Sequence, residues 1–168
     1  MKWDFPTLAK KWGEGDFRAL SRVITKIENK QGDDQLLLEQ IHDQKNPKVI
    51  GLTGPPGAGK STLVNAIIQL LLEREQRIGL LLIDPSSPFS GGAILGDRIR
   101  MTSEIGIHQN LYIRSMASRG SLGGLAPGIF DVLEAMKFSG FDWIFIETVG
   151  IGQSEVEIAA LADSVVVS

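Results

Sequence analysis

Eight consecutive residues, Gly54-Pro55-Pro56-Gly57-Ala58-Gly59-Lys60-Ser61, are the clearest chemistry in this chain, and Thr62 follows them directly. They fit G-x-x-x-x-G-K-S/T, the pattern of a phosphate-binding loop. Glycines let backbone N–H groups turn inward around an anion. In such a loop Lys60 reaches the β- and γ-phosphates of a nucleotide, and the Ser61 hydroxyl ligates Mg²⁺. A helix that starts at the loop adds its positive dipole end.

Three acids stand where they could complete such a site. Asp84 closes the apolar run Ile78 to Ile83. It holds Mg²⁺ directly or through water, or it caps a turn. Asp97 precedes Arg98-Ile99-Arg100-Met101. It caps a helix there, or it is a switch carboxylate that meets the metal in one nucleotide state only. Glu147 closes the apolar run Trp143 to Ile146, and Gly150 stands three residues on. That is the Walker-B arrangement, with Glu where most GTPases carry Asp. Glu147 then binds the metal through water or polarises the attacking water, the plain alternative being an acid solvated at a strand end. Gln153 could orient water, but Gln153-Ser154-Glu155 reads better as a helix start with Ser154 as cap.

These residues need a scaffold, and the pattern supplies one. Strands are expected at 48–53, 78–83, 111–114, 143–147 and 164–168. Helices are expected at 60–75, about 97–105, 128–138 and 154–162. In the first of these helices Leu63, Ala66, Ile67, Leu70 and Leu71 recur at helical spacing. Alternation of this kind implies an α/β fold, a mostly parallel sheet with helices on both faces and ligands at the carboxyl ends of the strands. Residues 1–46 read as a helical arm and 47–168 as the nucleotide domain. In the arm, Asp16 caps a helix with Phe17, Leu20, Val23, Ile24 and Ile27 on one face. A second helix, capped by Asp33 or Asp34, carries Leu36, Leu37, Leu38 and Ile41.

Composition narrows the function classes. The chain has 168 residues, 43% of them hydrophobic, and a formal net charge of −3. With no basic stripe, nucleic acid is not the expected partner. With no cysteine, disulfides and iron–sulfur clusters are excluded, and the two histidines, His42 and His108, lie far apart. No apolar run approaches the roughly 18 residues of a membrane span. The N-terminus lacks the apolar core of a signal peptide. The expectation is a cytoplasmic protein without a membrane partner.

Five segments together resemble the methylmalonyl-CoA mutase-associated GTPase family (MeaB/ArgK type), also labelled lysine/arginine/ornithine transport ATPases. They are the loop at Gly54 to Thr62, Asp84-Pro85-Ser86-Ser87-Pro88, the run from Ser90 to Arg98, Arg119-Gly120-Ser121-Leu122-Gly123-Gly124, and the run from Glu147 to Glu155. The resemblance covers about 48–168 closely. It implies a P-loop fold and a Mg²⁺-dependent GTPase that binds GTP and GDP. Its implied partner is an adenosylcobalamin-dependent acyl-CoA mutase, whose cofactor loading it gates and which it guards against inactivation. Lys60 and Glu147 carry over as catalytic residues. Gly54, Pro55, Pro56, Gly57, Ala58, Gly59, Lys60, Ser61 and Thr62 carry over as nucleotide contacts, and Ser61, Asp84, Asp97 and Glu147 as the metal site. Arg119 is either a site residue or a solvated loop arginine.

The guanine-reading Asn-Lys-x-Asp motif of that family is absent from the 168 residues. Asn29-Lys30-Gln31-Gly32 precedes the loop and lacks the aspartate. The expectation is a chain truncated before that motif and before a C-terminal dimerisation segment, the full-length protein being a homodimer. Two other readings stay open. One is a P-loop ATPase or small-molecule kinase linked to basic amino-acid transport. The other is a module that binds nucleotide without turnover.

Overall fold

The computed structural model describes residues 3–30, 32, 34–41, 46–84, 108–117, 128–148 and 154–168. The chain divides into two compact units. One comprises Met1–Pro47 with Gly128–Asp142, the other Lys48–Pro127 with Trp143–Ser168.

The second unit holds the phosphate-loop sequence. Its strands are β1 (Lys48–Thr53), β2 (Ile78–Asp84), β3 (Leu111–Ala117), β4 (Trp143–Thr148) and β5 (Ser164–Val167). They form one sheet in the order β3-β2-β4-β1-β5, and every neighbouring pair is parallel. The strands lie within one residue of the expected bounds, except that β3 runs on through Ser115, Met116 and Ala117. It is an edge strand, and an edge tolerates polar residues that interrupt an apolar run.

Side-chain alternation gives each face of the sheet its own helix. On one face, α4 (Lys60–Glu73) packs Val64, Ile68 and Leu72 against Leu52, Leu80 and Phe145. On the other, α6 (Ser154–Leu161) sets Ile158 against Gly51. The seating of α4 differs from the simplest reading of its pattern. Leu63 and Leu70 are 42% and 56% exposed, and Ala66 is exposed beside them. This helix is apolar nearly all round, so periodicity alone names more than one face. The expected helix at 97–105 lies outside the described residues.

The first unit is a helical cluster of α1 (Phe5–Gly13), α2 (Phe17–Glu28), the short α3 (Asp34–Leu38) and α5 (Ile129–Phe138). The sequence reading missed α1. Its signal is Asp4, whose carboxylate accepts from the Thr7 N–H, followed by a proline in the first turn. Hydrogen bonds from Thr7 hold the Asp4 carboxyl below its usual 3.8. That cap is complete above the usual value and fades only as the pH falls through the lowered one. Asp16 caps α2 as expected, accepting from the Arg18 and Ala19 N–H groups. Leu20, Val23 and Ile24 are fully buried. Trp12 is also fully buried, with its indole N–H donating to the Ala135 carbonyl at 3.0 Å.

Gly51 makes a test of the sheet. A Cβ there would stand 2.8 Å and 2.9 Å from two carbons of Ile158 and 3.3 Å from Ala162 Cβ. We expect Gly51→Val to lower unfolding free energy by about 1–3 kcal/mol through overpacking. Urea denaturation should also show that Ile158→Val recovers part of the loss in the double variant. Additive losses would mean that α6 does not bear on β1 at this point.

Candidate functional site

β1 delivers the chain to the loop at its carboxyl end, between β4 and the edge strand β5. Gly57 and Gly59 lie in the left-handed region, at φ +81° and +85°, where a side chain would be strained. The Ala58 N–H donates to the Pro55 carbonyl, closing a turn. Gly59 is the N-cap of α4 and offers no capping side chain. The first-turn N–H groups are therefore left to another acceptor, and an anion suits them.

Lys60 is the first residue of α4 and only 6% exposed. A buried ammonium requires partners. Its Nζ donates to the Gly54 carbonyl at 2.8 Å and the Pro55 carbonyl at 2.9 Å. Those bonds use two of its three N–H donors and draw the loop around the charge. The next residue points to the sheet. Ser61 Oγ donates to Glu147 Oε1 at 2.6 Å, across 86 positions of sequence. This is a short, charge-assisted bond. Parallel register puts Glu147 there, level with Leu52 of β1 and Leu82 of β2. Glu147 is buried at 9% exposure.

The structure thus brings Ser61 and Glu147 together, with Lys60 the neighbouring residue in the first turn of α4. Asp84 closes β2 two residues beyond Leu82, the strand position level with Glu147. Asp97, Arg119 and Gln153 lie outside the described residues. Among the described residues no three histidine, cysteine or acidic side chains converge.

Two positions that hold this frame carried no obvious signal. One is Gly51. The other is Asp163, whose carboxylate accepts from the Val49 N–H at 2.8 Å while its own N–H donates to the Val49 carbonyl at 2.8 Å. An acid just ahead of a strand is the only cue for this second clamp, which ties the turn before β5 to the start of β1.

Residues 20–168 match the profile of the family described as methylmalonyl Co-A mutase-associated GTPase MeaB. The chain belongs to this family. A protein from Pyrococcus horikoshii is 44% identical over 160 residues, covering 95% of this chain and 50% of that protein. The GTPase ArgK of Escherichia coli is 36% identical over 155 residues, covering 89% of this chain and 46% of its own length. The fused isobutyryl-CoA mutase of Geobacillus kaustophilus is 36% identical over 178 residues, covering 95% of this chain and 16% of that protein. The chain spans about half the length of the first two relatives. Among the described residues no helix is long and apolar enough to cross a membrane.

Lys60→Ala should weaken nucleoside triphosphate binding at least about a hundredfold, equivalent to about 2.7 kcal/mol. Unfolding free energy should fall by about 1–3 kcal/mol, because water can reach the exposed Pro55 carbonyl while the buried Gly54 carbonyl loses its partner. Titration with a fluorescent triphosphate and urea denaturation, run on the same preparations, give both numbers. Unchanged affinity would remove the loop from the binding site.

Proposed function

We propose that the chain is the phosphate-binding part of a Mg²⁺-dependent GTPase. It hydrolyses GTP to GDP and phosphate, and it gates cofactor loading of an adenosylcobalamin-dependent acyl-CoA mutase in the cytoplasm. One observation carries the reading: the hydroxyl next to the loop lysine and the acid near the carboxyl end of β4 meet within a single 2.6 Å hydrogen bond. A phosphate-binding lysine and a pair of hard oxygens are then side by side, as phosphoryl transfer requires.

The donor set fits Mg²⁺, which takes a few protein oxygens and keeps several waters. Ser61 and Glu147 would hold it, with Asp84 and Asp97 as the further carboxylates. Bound there, the ion would neutralise charge on the phosphates. The chain's own residues account for the rest. Lys60 and the N–H groups of the loop bind the phosphates. The buried Glu147 carboxylate accepts a hydrogen bond from the attacking water and orients it toward phosphorus. The mutase partner is supported by the family's description and by the relative in which a stretch similar to this chain is part of a fused mutase.

Phosphate release from GTP and from ATP, with Mg²⁺ and with EDTA, tests the proposal. Glu147→Gln keeps the shape and an acceptor for Ser61 but loses the charge. It should slow GTP turnover about 10²–10⁴-fold, the range for a positioned proton acceptor. An adenosylcobalamin-dependent mutase should stimulate the wild-type rate with GTP. Undiminished turnover by Glu147→Gln would remove the acid from the mechanism, and an unstimulated rate would remove the mutase as partner.

A further inference from the structure

Gly54 is the first glycine of the loop pattern, and its surroundings give it a different task from the glycines after it. It is buried, with φ +141°. A Cβ at this position would collide with the carbonyl oxygen of Ser168 and stand 3.2 Å and 3.3 Å from that residue's carbonyl carbon and nitrogen. Gly57 and Gly59, by contrast, have nothing within 4 Å of a constructed Cβ. Their glycines answer to backbone angle alone.

The Ser168 backbone is held in place by the sheet. β5 pairs with β1 through Thr53↔Val167, and the Ser168 N–H donates to the Thr53 carbonyl at 3.1 Å. The next carbonyl along, that of Gly54, accepts from Lys60 Nζ. A continuous line of main chain therefore runs from the end of β5 through Thr53 and Gly54 to the phosphate-binding ammonium. We propose that Ser168 is a positioning residue for the phosphate loop. Its N–H holds the Thr53 carbonyl and so the position of Gly54, and through it the Lys60 ammonium, so nucleotide affinity depends on the pairing of Ser168 with Thr53. This rests on the reading of Lys60 as the phosphate ligand.

Ser168→Pro tests it without disturbing the core. Proline removes the N–H that binds Thr53 and sets a ring carbon against that carbonyl, so this main-chain bond cannot form. The residue is exposed, so the thermal midpoint should stay within about a degree or two, as for a surface change. GDP affinity of the 168-residue chain should nevertheless fall about tenfold, the equivalent of one hydrogen bond. Gly54→Ala should weaken GDP and speed amide exchange at 164–168 together. Gly57→Ala should weaken GDP and leave that exchange unchanged. Wild-type GDP affinity in Ser168→Pro overturns the proposal, as does Gly54→Ala with unaltered exchange in β5. If the wild-type chain binds no GDP, the nucleotide reading fails, and the exchange comparison alone still decides whether Gly54 and β5 are coupled. Loose β5 exchange in Gly54→Ala would then support the contact, and unaltered exchange would overturn it.

Discussion

A lysine ammonium, 6% exposed and held by two carbonyls, fixes how the nucleotide-loop unit is put together. A charge so far from water must keep its hydrogen bonds, and they cost more to lose than an apolar contact does. Lys60 is the first residue of α4, so its inward direction sets the rotation of the whole helix. Positions 60, 64, 68 and 72 lie on one row, and all four are buried. Leu63 and Leu70 are left exposed although their own preference is for the interior. The penalty of leaving those leucines in water is smaller than that of stranding the ammonium.

The same rotation places Ser61 one step round the helix, against the carboxyl end of β4. The sheet completes the meeting. Evenly spaced parallel pairing levels Glu147 with Leu52 on one side and Leu82 on the other, so its height above the sheet is fixed from two directions. β1 is itself held beyond its strand pairs. Gly51 lets Ile158 approach the strand directly, and Asp163 ties the turn before β5 to Val49. A site built on a strand clamped in this way is held more firmly than one on loops alone.

The parts legible in the sequence were those where local chemistry and global structure ask for the same thing. Strands β1, β2 and β4 are buried on both faces and read as continuous apolar runs. The phosphate loop is written out residue by residue, and Glu147 was found because an acid closing an apolar strand has few other reasons to be there. The seating of α4 was hidden, because Leu63, Ala66 and Leu70 satisfy the helical period as well as Val64, Ile68 and Leu72 do. Periodicity ranks faces by hydrophobicity and is blind to one buried charge. Helix α1 was hidden by its length and by Pro6, which reads as a breaker unless Asp4 ahead of it is recognised as a cap. Gly51 and Asp163 were hidden because their reasons lie far off in the sequence.

Gly54 shows why a motif is an incomplete description of a site. As part of G-x-x-x-x-G-K-S/T it is explained by phosphate, and that explanation is sufficient for recognising the loop. Its surroundings add a second constraint, the Ser168 carbonyl seated where a side chain would begin. The two constraints act on one residue and come from opposite directions, one from the ligand and one from the sheet. A loop shaped only by its own glycines would be free to reshape around any anion. If the loop binds phosphate as proposed, a first residue packed against a paired strand leaves it fewer conformations to lose, so less of the binding energy goes into ordering it. On the proposed reading, the pairing of β5 with β1, more than a hundred residues apart in sequence, is part of the phosphate site.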